Sequence, residues 1–315
     1  MENLIFSLNA TIPIFLMMVL GVFFRKTGLL KENMINGLNQ FVFKATLPVL
    51  LFGDLAKQDF AEAWNGKFVA FCFVVTLVSI SLVALMSMAL KDKSQRGEFI
   101  QGAYRSSAAI LGIAFITNIY GNSGMTPLMI VSAVPLYNIY SVIILTFCAN
   151  NQDHSDKAAT IKRAFKNILT NPIILGIAAG VPFSLLNIEL PPLVLKTVTN
   201  VAQTATPMAL LAVGAGFEGR KAIKKLKPTM IATFIKLVAL PAIYFPFAIA
   251  MGFRESALVA ILIMVGSPTT VTCYIMAKNM GNDGVLSSSI IVMATLLSSV
   301  TLTFWIFLLK SMGLI

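Results

Sequence analysis

Thr11-Ile12-Pro13-Ile14-Phe15-Leu16-Met17-Met18-Val19-Leu20-Gly21-Val22-Phe23-Phe24 returns 159 residues later as Thr170-Asn171-Pro172-Ile173-Ile174-Leu175-Gly176-Ile177-Ala178-Ala179-Gly180-Val181-Pro182-Phe183, with seven identities in fourteen positions. Two further matches follow in order. Ala45-Thr46-Leu47-Pro48 is answered by Thr204-Ala205-Thr206-Pro207 at the same shift, and Tyr120-Gly121-Asn122-Ser123-Gly124 by Met280-Gly281-Asn282-Asp283-Gly284 at a shift of 160. Chance explains one resemblance between apolar stretches, but not three in order at nearly constant spacing. The chain reads as an internal repeat.

The repeats are hydrophobic. Of 315 residues, 57% are hydrophobic and only 12% charged, with mean hydropathy +0.84. A soluble domain carries about 25% charged residues, so most of this chain has no water-facing surface. A bilayer-spanning helix needs about 20 mainly apolar residues. Ten segments qualify, near 4–24, 36–56, 67–90, 97–120, 125–149, 168–188, 193–216, 228–251, 254–279 and 285–311. Their runs are too continuous for the alternation of a membrane barrel. The fold class is therefore an all-α polytopic membrane protein: a first five-helix repeat over 1–149, a loop over 150–167, and a second five-helix repeat over 168–315. Five is odd, so the repeats are inverted relative to each other. That is a plan common among secondary transporters, which bind substrate near the midplane between the repeats.

The formal charge of +11 does not point to nucleic acid. Lys and Arg cluster between the apolar runs, where they set orientation. Loops after the odd-numbered helices and the helix ends flanking them carry 16 of them, and the opposite side 5. Both termini are thus expected outside an inner (plasma) membrane, with the 150–167 loop in the cytoplasm. Its basic half, Lys157 to Lys166, reads as an interfacial lead-in to the sixth helix. Met1-Glu2-Asn3 runs straight into Leu4 without a basic region, so no cleavable signal is expected. Cys72, Cys148 and Cys273 lie far apart inside apolar runs and read as small hydrophobes.

Two helices look broken at matching places. Val265-Gly266-Ser267-Pro268-Thr269-Thr270 combines a loosening Gly266, a Pro268 without an N–H, and Ser267 as an N-cap for a second half-helix. The alternative is a kink in a continuous helix. At the corresponding place in the fourth helix, Arg105-Ser106-Ser107-Ala108-Ala109 has no proline, but two cap-competent serines. Half-helix N-termini attract anions. Ionisable groups inside a membrane are functional candidates. Three fall deep within helices, Lys44, Arg105 and Lys236, and all are cations. Snorkelling toward headgroups is the alternative for each. Asp54, Glu98, Glu218, Glu255 and Asp283 read as lying near helix ends. Asn138 falls mid-helix, where an interhelical hydrogen bond is the plainer role. His154 is expected in the loop.

The candidate substrate-binding set is Arg105, Ser106, Ser107, Asn138, Ser267, Thr269, Thr270, Lys44 and Lys236, with Gly266 and Pro268 breaking the helix. A cavity with buried cations and no carboxylate suits a small organic anion. No catalytic residue, metal site or cofactor is expected: there is no GxxxxGK[ST], no HExxH and no Ser–His pair.

Together these residues resemble the auxin efflux carrier family of transporters, which includes bacterial malonate and malate permeases and plant PIN-type carriers. The resemblance covers nearly the whole chain. It is carried by Leu38-Asn39-Gln40-Phe41 through Leu47-Pro48, Ala205 through Leu210, Lys236 through Pro241, Gly266 through Thr270, and the pattern around Arg105, Gly112 and Gly121. It implies ten helices in two inverted repeats, with the fourth and ninth crossing at the substrate site. Helices 1, 2, 6 and 7 would form a scaffold, often dimeric, and helices 3–5 and 8–10 a moving, elevator-like domain. Implied substrates are organic carboxylates. The sequence departs from the pattern at Ser107, where Asn is common, and at Ala114, where Pro is common. Plant carriers have Pro where Ser106 stands, so auxin is not the expected substrate. The expectation is a secondary transporter of mono- or dicarboxylates such as malonate or malate. A sodium- or proton-coupled symporter of a related ten-helix fold is the alternative within transport; a channel and an intramembrane enzyme are the rivals outside it.

Overall fold

The computed structural model describes residues 2–56, 64–148, 165–186 and 188–315, and every regular element among them is helical. The expected 150–167 loop, His154 included, lies outside the described residues up to position 164. The first half comprises α1 (Glu2–Lys26), α2 (Glu32–Phe41), α3 (Leu47–Ala56), α4 (Gly66–Ser87), α5 (Arg96–Tyr104), α6 (Ala108–Tyr120) and α7 (Thr126–Phe147). The second comprises α8 (Pro172–Leu185), α9 (Pro192–Ala215), α10 (Gly219–Lys224), α11 (Leu226–Phe234), α12 (Leu240–Ala250), α13 (Ser256–Gly266), α14 (Thr272–Asn279) and α15 (Val285–Ser311). A π-helical turn, Val42–Thr46, joins α2 to α3, and a second, Ile235–Ala239, joins α11 to α12.

Among the described residues four continuous helices are long and apolar enough to cross a bilayer: α4, α7, the Leu226–Ala250 unit and α15. Large apolar side chains such as Leu85, Leu193 and Phe307 stand exposed on the helices, as lipid contact requires and water would penalise. The chain is a helical, polytopic membrane protein.

Packing follows the repeated sequence. α3 packs on α8, and α1 packs on α9; the two pairs exchange under the 159-residue shift. Small residues let the backbones approach. A Cβ on Gly180 would meet the Phe52 carbonyl oxygen at 2.8 Å, and one on Gly21 would meet the Leu211 carbonyl oxygen at 2.3 Å. Gly21 and Gly180, and Phe52 and Leu211, are both 159 apart. The two Gly-Asn-x-Gly turns match as well. Gly121 and Gly124 have φ of 76° and 48°, Gly281 and Gly284 of 86° and 72°, a left-handed region that glycine enters without steric cost.

Glu98, read as a helix-end residue, is 2% exposed. Its carboxylate accepts from the Gly284 and Ser287 N–H groups at 3.1 and 2.7 Å, capping the start of α15, where a negative charge is favourable.

Candidate functional site

Both suspected breaks are real discontinuities, not kinks. α5 stops at Tyr104 and α6 begins at Ala108; α13 stops at Gly266 and α14 begins at Thr272. Arg105 and Ser267 are both extended, at φ −74°, ψ 137° and φ −78°, ψ 162°. The two breaks lie against each other. The Ser107 N–H donates to the Pro268 carbonyl at 3.0 Å, and the Thr269 hydroxyl donates to the Gly102 carbonyl at 2.6 Å. Gly266 is required here because a Cβ would stand 2.8 Å from Pro241 Cγ.

The serines do not cap as the sequence suggested. Ser107 holds the N-cap position of α6 without a side-chain bond. Ser267 ends α13 instead of starting α14, and its buried hydroxyl has no partner among the described residues. The cause lies in the backbone. Pro268 offers no N–H and its carbonyl is taken by Ser107, so residues 268–270 stay non-helical and the helix resumes only at Thr272.

A broken helix leaves carbonyls at its C-terminal end without partners, and one residue answers both breaks. Lys236, in the second π turn, is 0% exposed. Its ammonium donates to the Tyr104 carbonyl at 3.2 Å, the Val265 carbonyl at 2.9 Å, the Met264 carbonyl at 3.4 Å and the Ser106 hydroxyl. The Ser106 hydroxyl donates onward to the Met264 carbonyl, which Tyr137 Oη also reaches at 2.9 Å. Lys236 therefore sits at the negative ends of α5 and α13, and it does not line the cleft described next.

On the other side of the crossing lies a cleft of about 910 Å³, counting its open mouth. Its floor is the start of α6 (Ser107, Ala108, Ala109) and the approach to α14 (Thr269, Thr270, Val271), so two positive helix ends face it. Arg105, Tyr137 and Asn138 line it, as do Thr206 and Leu210 of α9. Arg105 is 3% exposed. One terminal nitrogen donates to Ser141 Oγ (3.0 Å), Gln101 Oε1 (3.3 Å) and Met276 Sδ (3.0 Å), the other to Asn138 Oδ1 (3.0 Å). None of these acceptors is a carboxylate. The buried Arg105 Nε has no partner among the described residues. Both terminal nitrogens are thus engaged by protein, and Nε is left over. Asn138 also donates to the Val134 carbonyl at 2.9 Å.

Of the candidate residues, Arg105, Ser106, Ser107, Asn138, Thr269 and Thr270 line one cleft together with Pro268. Ser267 and Lys236 stand behind it. Lys44, in the first π turn, is exposed and outside it. The expectation of a cavity free of carboxylates is corrected by Asp54, which lines the cleft from α3. Its place near a helix end hid that role; the three residues from Leu51 to Asp54 put both on one face. Thr206 was missed likewise, though it stands directly before the repeated Pro207.

The Membrane transport protein family matches residues 6–306. The chain is 24% identical over 283 residues, covering 87% of each chain, to a Rhizobium meliloti protein named "Putative malonate transporter". It is 20% identical over 302 residues, covering 95% of this chain and 97% of the other, to a Methanothermobacter thermautotrophicus protein named "Uncharacterized transporter". The match spans nearly the whole chain, and with it the crossover and its cleft: the protein belongs to the membrane transport protein family, the auxin efflux carriers that its sequence resembles.

Proposed function

We propose that the protein is a secondary transporter of small organic anions, mono- or dicarboxylates such as malonate or malate, working by elevator-type alternating access. One observation carries this reading: the starts of α6 and α14 and the Arg105 guanidinium converge on a single cleft. Helix N-termini and a buried cation favour negative charge there and disfavour cations. The name of the Rhizobium meliloti relative agrees with a dicarboxylate.

The matched packing of α1 on α9 and α3 on α8 supports a ten-helix inverted repeat, whose two halves exchange conformations to open on either side. In this reading helices 1, 2, 6 and 7 are a scaffold that pairs with a second copy, and the crossover rides in the moving domain. The bias of basic residues supports an orientation with both termini outside the inner membrane; in that orientation the cleft reaches from the crossover toward Asp54 on the extracytoplasmic side.

A thermal-shift screen of organic acids on the purified protein tests the assignment. Malonate or malate is expected to raise the melting temperature, because a ligand that binds the folded state stabilises it. No response to any carboxylate, with a response to organic cations or neutral solutes, would overturn the assignment.

A further inference from the structure

The crossover contains a cation cage whose cation is covalently attached. Four oxygens surround Lys236 Nζ: the carbonyls of Tyr104, Met264 and Val265, and the Ser106 hydroxyl. They come from the C-terminal ends of α5 and α13 and from the first break, so both repeats contribute. None is a carboxylate, and Lys236 is 0% exposed, out of reach of bulk water. An ammonium has three N–H donors to place among these oxygens and a neutral amine only two; the Tyr104 and Val265 carbonyls and the Ser106 hydroxyl are the nearest, so the cage suits the charged form.

Carbonyls at the C-terminal ends of half-helices are the ligands with which broken-helix transporters hold a coupling sodium ion. Here the same kind of ligand set closes on a side chain. We propose that Lys236 is a tethered substitute for a coupling cation. Its ammonium joins the two half-helix ends as a bound monovalent cation would, so the anion is carried without sodium. The inference rests on the crossover being the substrate site, and deepens that reading by assigning the source of the counter-charge.

Lys236→Ala removes Cγ, Cδ, Cε and Nζ, which is the skeleton of n-propylammonium. The variant is expected to melt below wild type and to bind malonate or malate about tenfold more weakly or worse, the order expected for removing a buried cation from helix C-termini. Added n-propylammonium is expected to restore both properties, whereas n-propanol, of the same shape without charge, is not. Lys236→Met fills the space without charge; it should bind the anion weakly and ignore propylammonium. Wild-type uptake should be the same with sodium, potassium or choline outside. Three results would overturn the proposal: Lys236→Met with wild-type melting and anion affinity; a folded Lys236→Ala that no cation stabilises; or wild-type uptake that needs sodium. If Lys236→Ala does not fold even with propylammonium, Lys236→Met and the sodium test decide alone. The melting readout needs no substrate. Rescue by propylammonium with no anion bound by wild type would leave the cage standing and remove the transport assignment; the reverse result would remove only the cage.

Discussion

Arg105→Gln probes the cleft most sharply, because the structure shows what the guanidinium does. Its terminal nitrogens make four contacts at 3.0–3.3 Å, to Ser141, Gln101, Met276 and Asn138, which leaves the charge and Nε for a ligand. A hydrogen bond to a charged group is worth about 1.5–3 kcal/mol, and about 1.4 kcal/mol is tenfold in affinity. Arg105→Gln is therefore expected to weaken malonate or malate binding by about ten- to a hundredfold. Gln leaves Asn138 Oδ1 without its donor, at a stability cost of about 1–3 kcal/mol, so melting should fall while the fold persists. Arg105→Lys keeps the charge but reaches fewer of the four acceptors, and should bind between wild type and Arg105→Gln. Isothermal titration with a fixed anion measures all three. A folded Arg105→Gln with wild-type affinity would show that Arg105 only joins α5 to α7 and that the anion sits elsewhere.

Ser107→Leu keeps the backbone bond to Pro268 but fills the cleft floor; uptake should vanish with little change in melting, and unchanged uptake would move the site. Alanine at the close-packed glycines should lower the melting temperature in the order Gly214, Gly21, Gly180, because a Cβ would meet backbone oxygen at 1.9, 2.3 and 2.8 Å, and overpacking costs about 1–3 kcal/mol; equal effects would contradict that packing. A reporter active only in the cytoplasm, fused after Ile315, should be silent, and strong activity would refute the orientation.

What could be read from the sequence follows from what a membrane helix displays. Helix positions were legible because apolar length sets them, and Pro268 with Gly266 marked one break. The break at 105–107 has no proline and was found only through the repeat. Side-chain direction was harder. A soluble helix shows its buried face as an apolar stripe, but here the lipid face is apolar too, so depth is legible and direction is not. Lys44 and Lys236 fall at matching places within their apolar segments, yet one is exposed and the other fully enclosed. Both lie in π turns, whose extra residue rotates the helix beyond and leaves no compositional mark. Asp54 was set aside for lying near a helix end, although it faces the cleft. The serine caps failed for a different reason: the partner of each break is the other break, as in the bond from Ser107 to Pro268, far along the chain.

Net negative charge is expected to cross through the crossover cleft, because the cations that draw the anion in stay with the protein. Malonate or malate accumulation in proteoliposomes under an imposed potassium-diffusion potential tests it most directly. One unit charge crossing the membrane is worth ~2.3 kcal/mol per 100 mV, about a fiftyfold accumulation at equilibrium for each unit of net charge moved. Accumulation is expected on the positive side, reversing with the sign of the potential and needing no sodium. Uptake indifferent to potential and strictly dependent on a sodium or proton gradient would contradict it.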